Sequence, residues 1–207
     1  MAASLTYRSP ALYELAMLGL YGRHYPSRYR AVADVIPAGS SVLDLCCGPG
    51  VLYERYLRQK SVSYLGLDIN EKFVAGLTRR GVRAQLWDLR GEAPLPPADC
   101  VVMQASLYHF LPDPLPVLGR MMEAARERVV IAEPIRNLSC SKLPLLGALA
   151  RLLTDPGVGS QPYRFTEGAL DSVIGSLCVR PPHSFPICGG REKLYVIERR
   201  SIGRELI

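Results

Sequence analysis

The chain has 207 residues, of which 48% are hydrophobic and 21% charged, with 18 Gly and 17 Pro. These are the proportions of an ordinary globular domain, so they exclude a disordered or collagen-like chain. The formal net charge of +6 comes from scattered basic residues rather than one run. Scattered charge argues against a nucleic-acid partner and leaves an anionic substrate or a peripheral contact with an anionic membrane face open.

Targeting and metal signals are missing from the sequence. No segment reaches the ~20 apolar residues that span a bilayer, and Glu14 interrupts the apolar run that a signal peptide would need. The six cysteines contain no C-x-x-C pair, and the chain has three His. We therefore expect a cytoplasmic protein without a metal site or a disulfide framework.

Apolar runs of strand length alternate with segments of helical period along the chain. The N-terminal 36 residues predict two helices, at 10–20 and 26–36, and further helices are predicted at 50–59, 71–80, 115–126, 144–153 and 166–176. Asn70 and Thr166 are predicted N-caps. Strands are predicted at 41–45, 63–67, 82–87, 98–104, 128–132, 178–185 and 193–199. This alternation predicts an α/β fold with a parallel sheet covered on both faces.

The most informative stretch is Val42-Leu-Asp-Leu-Cys-Cys-Gly-Pro-Gly50. A buried strand containing Asp44 leads into a turn with Gly48 and Gly50, and a helix follows. The two glycines permit a sharp turn and a close approach of the backbone to a ligand. Such a turn lies at the carboxyl edge of a parallel sheet, where α/β folds bind nucleotides.

Two common nucleotide motifs do not match this turn. The third glycine of a G-x-G-x-x-G fingerprint would fall at Tyr53 or Val51, depending on register, and no Gly-Lys-Ser/Thr of a P-loop follows. Asp44, placed before the turn, suits a ligand with a cationic or donor-rich group better than a pyrophosphate. A nicotinamide-dependent oxidoreductase is therefore the weaker alternative.

The segment Asp44-x-Cys46-x-Gly48-x-Gly50 resembles the first motif of class I S-adenosylmethionine-dependent methyltransferases, with Cys46 in place of its first glycine. Leu65-Gly-Leu-Asp-Ile-Asn70, Trp87-Asp-Leu89 and the stretches 95–103 and 104–110 resemble the later motifs in the expected order. The resemblance covers about residues 38–135 and is nearest to the small-molecule type with a ubiquinone and menaquinone methyltransferase-like core. It implies a Rossmann-like, seven-stranded, mostly parallel sheet whose last strand is antiparallel. It also implies S-adenosylmethionine as cofactor and S-adenosylhomocysteine as product.

The same resemblance implies a set of cofactor-binding residues. Asp68 would accept the ribose hydroxyls, since one carboxylate matches a vicinal diol. Asp88 would accept from the adenine amino group, the Leu89 amide would meet a ring nitrogen, and the loop 104–110 would lie under the methionine moiety. The predicted cofactor residues are Asp44, Cys46, Gly48, Gly50, Asp68, Ile69, Trp87, Asp88, Leu89, Gln104, Ala105, His109 and Tyr25.

Catalytic residues are harder to predict, because a sulfonium is already an activated leaving group. His109 and Tyr108 are the candidates for a general base, and both could instead pack or cap. Asp44 and Asp68 could cap helices, Asp88 could be a solvated loop acid, and Glu133 could face the pocket or pair with Arg136.

These observations predict methyl transfer to an oxygen, carbon or nitrogen atom of a small, partly apolar acceptor. The sequence divides into an N-terminal helical cap (1–36), a cofactor-binding core (37–135), a lid or substrate insertion (136–165) and a C-terminal helix with the last strands (166–207), all in one domain. A non-catalytic S-adenosylmethionine-binding module of the same fold is the alternative. A monomer and a homodimer are both compatible with the sequence.

Overall fold

A computed structural model describes residues 10–135 and 164–199 of the chain. Seven strands lie in one sheet there: β1 (Ser41–Leu45), β2 (Ser63–Asp68), β3 (Ala84–Leu86), β4 (Ala98–Gln104), β5 (Ala125–Pro134), β6 (His183–Ile187) and β7 (Glu192–Glu198). Their order is β3-β2-β1-β4-β5-β7-β6. Strands β1 to β5 pair in parallel, whereas β7 runs antiparallel to both β5 and β6. The predicted mostly parallel sheet with an antiparallel last strand is confirmed.

Five α-helices are described: α1 (Pro10–Tyr21), α2 (Tyr25–Asp34), α3 (Glu71–Arg79), α4 (Leu115–Ala124) and α5 (Glu167–Ser176). The two predicted caps are confirmed. The Asn70 side chain accepts from the amides of Lys72 and Phe73, and Thr166 accepts from the amide of Ala169. These bonds satisfy amides that have no partner within their own helix.

Several elements differ in detail from the prediction. The helix expected at 50–59 is present at 51–60, but after its first two residues it continues as a π-helical stretch at Tyr53–Leu57 and a 3-10 turn at Arg58–Lys60. Strand β3 is shorter than the predicted 82–87. Strand β6 begins at His183 rather than 178, since the two prolines before it cannot donate to a ladder. Strand β5 starts at Ala125, directly after α4, and is longer than predicted. The helix predicted at 144–153 lies outside the described residues.

Apolar side chains alternate between the two faces of the sheet, as a strand period of two requires. On one face, Val101 and Met103 belong to an apolar cluster with residues of α4 and α5. On the other face, Cys100 and Val102 belong to a cluster with residues of α2 and α3. Helices therefore cover both faces, and the ends of β1, β2, β4 and β5 meet at one open edge. That edge is where a doubly wound sheet binds ligands.

Candidate functional site

The turn after β1 has a backbone that favours close approach of a ligand. Cys46, Gly48 and Gly50 have φ angles of 55°, 57° and 80°, in the left-handed region that non-glycine residues seldom adopt. A Cβ atom at Gly48 would meet nothing within 4 Å, whereas one at Gly50 would lie 2.3 Å from a methyl carbon of Leu77 on α3. Gly50 is thus required for packing, and Gly48 leaves open space beside the turn.

Asp68, the last residue of β2, joins this turn to the next loop. One carboxylate oxygen accepts from the Gly48 amide at 2.7 Å and the other from the Asn70 amide at 2.8 Å. Burial raises the pKa of Asp68, and these backbone donors oppose that rise. The Asn70 side chain caps α3, so Asp68 is not needed as the cap of that helix. Its carboxylate instead connects the turn after β1 with the loop after β2.

Asp44 lies on β1 below the turn and is 3% exposed. Its carboxylate accepts the hydroxyl of Tyr64 on the neighbouring strand at 2.8 Å. Burial raises the pKa of Asp44 to about 7, the Tyr64 hydrogen bond opposes the rise and the charge of Asp68 adds to it. Tyr64 was not among the predicted residues, because nothing in the sequence of β2 marks it as a partner of Asp44.

The predicted adenine side is the region after β2 and β3. Ile69 is 37% exposed and Trp87 is half-buried, so both offer apolar surface at the edge. The exposed carboxylate of Asp88 pairs with the Arg90 guanidinium at 2.7 Å, which supports the alternative that Asp88 is a solvated loop acid. Leu89 is buried. The contacts of Asp88 and Leu89 with adenine remain predictions.

The loop after β4 carries the other predicted residues. The Gln104 amide nitrogen donates to the carbonyl of Arg28 at 3.3 Å, while its buried Oε1 has no hydrogen-bond partner among the described residues. Ala105 has a φ of 50°, and its amide donates to the Ala132 carbonyl at 2.7 Å. The chain therefore turns sharply at the end of β4.

Tyr108 and His109 follow in a short 3-10 helix, Leu107–Phe110. Tyr108 is buried and His109 half-buried, and their ring centroids are 4.0 Å apart. The guanidinium carbon of Arg164 lies 3.8 Å from the centroid of the Tyr108 ring. The two candidate catalytic rings thus lie together, next to a cation, at the carboxyl edge of β4.

Glu133 at the end of β5 organises this same loop. It is 1% exposed and accepts the amides of Ser106, Leu107 and Tyr108 at 3.0, 3.0 and 3.3 Å. The sequence singled out this acid only as an alternative between a pocket residue and a partner of Arg136. Residue 136 lies outside the described ranges, and what the structure describes is a carboxylate that holds a backbone turn.

The predicted N-terminal contact, Tyr25, is 1% exposed and packs edge-on against Tyr29 with centroids 5.3 Å apart. Next to it, Arg28 forms an ion pair of 2.8 Å with Glu192, at 2% and 0% side-chain exposure. This pair connects α2 to the first residue of β7. Sequence reasoning missed it, because 164 residues separate the partners.

These residues fit a nucleoside cofactor with a cationic tail. Asp68 supplies a carboxylate beside the open turn at Gly48, and Gln104 supplies a buried acceptor that suits an ammonium donor. Asp44 adds a second acid below the turn. Within residues 10–135 and 164–199, no group of three His, Cys, Asp or Glu side chains could hold a metal ion, and no helix is long and apolar enough to cross a membrane.

The fold and the sequence family together identify a class I S-adenosylmethionine-dependent methyltransferase domain. The chain belongs to the methyltransferase domain family, whose sequence model matches residues 20–157. Membership confirms the predicted enzyme class, with S-adenosylmethionine as cofactor and S-adenosylhomocysteine as product.

Curated relatives match only part of this chain. Trans-aconitate 2-methyltransferase from Mycobacterium tuberculosis (strain ATCC 25177 / H37Ra) is 38% identical over 84 residues, which are 40% of this chain and 31% of the relative. The protein of the same name from Mycolicibacterium gilvum (strain PYR-GCK) is 40% identical over 74 residues, covering 35% of this chain and 28% of the relative. The matched region therefore spans less than a third of either relative.

Solved structures support the fold over most of the chain. Magnesium protoporphyrin IX methyltransferase from Synechocystis PCC 6803, with bound S-adenosylhomocysteine, has a TM-score of 0.60 at 18% identity and covers 85% of each chain. Human N-acetylserotonin methyltransferase in complex with S-adenosylmethionine has a TM-score of 0.63 at 17% identity, over 93% of this chain and 57% of that chain. A putative methyltransferase in complex with the Haloferax volcanii Trm112 activator has a TM-score of 0.66 at 14% identity, covering 90% and 81%.

Proposed function

We propose that this protein transfers the methyl group of S-adenosylmethionine to a small, partly apolar acceptor. The observation that carries the proposal is the 2.7 Å hydrogen bond from the Gly48 amide to Asp68, beside open space at the Gly48 α-carbon. It forms a preorganised cradle in which the Asp68 carboxylate accepts from the ribose and the turn admits the cofactor. Asp44 and Gln104 support the cationic end of the same ligand.

When bound, S-adenosylmethionine would supply a methyl group on a cationic sulfur. The nucleophilic atom of the acceptor would bond to that methyl carbon as the carbon–sulfur bond breaks, and S-adenosylhomocysteine would leave as a neutral thioether. The protein then has little acid–base work to do; it aligns the acceptor and excludes water. His109, or Tyr108 beside it, is the candidate to take a proton from a phenolic or acidic-carbon acceptor. An acceptor that is already ionised would need no base.

The side chains around the loop after β4 indicate which chemical class of acceptor would fit there. Trp87, Phe110, Leu111 and Ile135 are partly buried apolar residues packed against the same cluster as Tyr108. Arg164 adds a positive charge over the Tyr108 ring. Carboxylic acids with an apolar part are therefore the first acceptors to test, and the names of the trans-aconitate relatives favour the same choice.

Two steps test the proposal. Calorimetric titration with S-adenosylhomocysteine, with NAD in parallel, should show micromolar binding of the first only. Formation of S-adenosylhomocysteine is then measured with a panel of trans-aconitate, aromatic carboxylic acids, phenols and quinols. Binding of the cofactor product with no transfer to any acceptor would favour the non-catalytic binding module instead. Binding of NAD alone would favour the oxidoreductase alternative.

We further infer a cytoplasmic location, supported by five described cysteines that are free thiols. Peripheral membrane contact, the absence of a nucleic-acid partner, the choice between monomer and homodimer, and the division into cap, core, lid and C-terminal segment stay predictions.

A further inference from the structure

Three consecutive backbone amides converge on one buried carboxylate at the carboxyl edge of the sheet. Glu133 accepts from Ser106 and Leu107 through one oxygen and from Tyr108 through the other. These amides open the 3-10 helix Leu107–Phe110, and the first amides of a helix have no partner inside it. Glu133, 25 to 27 residues further along the chain, supplies that partner.

Strand pairing brings the acid and the amides together. In the parallel ladder between β4 and β5, Gln104 is opposite Ala132, so Glu133 lies one residue beyond the end of the paired region. The left-handed conformation of Ala105 then turns the chain back, and its amide donates to the Ala132 carbonyl. This turn presents the next three amides to the Glu133 carboxylate.

An apolar side chain would cost less free energy to bury at this position than the carboxylate of Glu133 does. Taking a carboxylate out of water costs several kcal/mol unless hydrogen bonds compensate for it. Burial accordingly raises the pKa of Glu133 to about 8, the three amides oppose the rise, and the nearby acid Glu192 adds to it. The amides of the loop are therefore what favours the charged form of this side chain.

We propose that Glu133 is a positioning residue for methyl transfer, whose carboxylate fixes the backbone that carries Tyr108 and His109 at the reaction edge. The inference rests on the proposed function, in which those two rings meet the acceptor. Glu133 itself is buried beneath the loop and acts through it. This backbone carries the rings of Tyr108 and His109, which lie tilted against each other with centroids 4.0 Å apart, and the Arg164 guanidinium lies over the Tyr108 ring.

The test compares Glu133→Gln with Glu127→Gln, a matched change at an exposed position of the same strand. In Glu133→Gln, amide hydrogen exchange at Ser106, Leu107 and Tyr108 should accelerate roughly tenfold or more, since one of the two accepting oxygens is replaced by an NH2 donor. Exchange within β4, at 101–103, should stay as in the wild type. The Glu127→Gln variant should match the wild type at both places.

Histidine NMR supplies a second readout, because the chain has only three His. In Glu133→Gln the imidazole signals of His109 should shift, while those of His24 and His183 stay in place. With an acceptor identified from the panel, kcat should fall about tenfold or more as the rings lose their alignment.

Unchanged exchange and unchanged His109 signals in Glu133→Gln would overturn the proposal. Equal changes at all three His and throughout β4 in a variant that remains folded would also overturn it, since Glu133 would then support the whole sheet rather than this loop. If Glu133→Gln does not fold, Glu133→Asp, which keeps the charge and shortens the reach, is measured in the same way. The exchange and NMR readouts need no acceptor, so they separate this inference from the proposed function, which fails instead when no methyl transfer is found.

Discussion

Tyr64 on β2 donates its hydroxyl to the buried carboxylate of Asp44 on β1, with 2.8 Å between the two oxygens. The Tyr64 ring also stacks on Tyr53, with centroids 4.3 Å apart. The acid of the cofactor motif is therefore held by a partner from the adjacent strand. Burial, this hydrogen bond and the charge of Asp68 together set its pKa at about 7.

The first prediction is a pH dependence of cofactor binding. The pKa of Asp44 is raised without ligand, and the ammonium group of the ligand's amino-acid tail favours the carboxylate, so binding should release a proton near neutral pH. Affinity for S-adenosylhomocysteine should thus rise about tenfold from pH 6 to pH 8. Calorimetry in buffers of different ionisation enthalpy measures the released proton directly.

Two variants control that experiment. Asp44→Asn should bind more weakly at pH 8 and lose most of the pH dependence. Tyr64→Phe removes the hydrogen bond that favours the carboxylate, so the midpoint should move to higher pH. An Asp44→Asn variant with the full wild-type pH dependence would assign the titration to another group.

The second prediction separates backbone strain from ligand contact at Gly48. Gly48 and Gly81 have φ angles of 57° and 74°, and a Cβ atom on either would meet nothing within 4 Å. Alanine at either position should lower the free energy of unfolding by about 1–2 kcal/mol, since both residues have a left-handed backbone conformation. Only Gly48→Ala should weaken S-adenosylhomocysteine binding, by about tenfold or more, because its methyl group enters the cofactor space.

Urea unfolding and calorimetry on the two variants check this. Gly81 lies before β3, at the opposite edge of the sheet from the cofactor turn, which makes it the matched control. Equal loss of affinity in both variants would mean that the turn at Gly48 does not face the cofactor.

The third prediction ranks two acids of the proposed site. Asp68 is 9% exposed and accepts backbone amides on both sides of the cradle, whereas Asp88 is exposed and paired with Arg90. Asp68→Asn should weaken S-adenosylhomocysteine binding by about 1–3 kcal/mol, and Asp88→Asn should have a smaller effect. Titration of both variants decides the order; an effect of Asp88→Asn as large as that of Asp68→Asn would support the adenine contact.

The fourth prediction concerns the ion pair that joins α2 to β7. Arg28→Met leaves the Glu192 charge buried without its ion-pair partner and should cost about 3–5 kcal/mol in urea unfolding. Arg28→Met combined with Glu192→Leu should cost less than Arg28→Met alone. Arg55→Met breaks an exposed pair with Glu14 of 2.7 Å and should cost about 0–1 kcal/mol. Equal losses of unfolding free energy in Arg28→Met and Arg55→Met would contradict the expectation that burial decides how strongly an ion pair contributes to stability.

The sequence by itself determined the fold class and the position of the cofactor turn. Hydrophobic periodicity and the caps at Asn70 and Thr166 are local properties, so the order of strands and helices follows from neighbours along the chain. The glycines of the turn and the acid at the end of β2 are local as well, which is why the family could be inferred before the fold was known. The late start of β6 shows the limit of local signals, since the two prolines before His183 displaced the expected boundary. The π-helical form of Tyr53–Leu57 was likewise not predicted, although a helix was.

Only the tertiary structure decided which groups hold the predicted ones in place. Tyr64 reaches Asp44 across two strands, Glu133 reaches three amides across the β4–β5 ladder, and Arg28 meets Glu192 from 164 residues away. No periodicity or motif spacing encodes these pairs, because each depends on strand register and on where the sheet excludes water. Burial also sets the pKa values of Asp44 and Glu133, since the cost of a charge depends on the solvent around it and not on its neighbours in sequence.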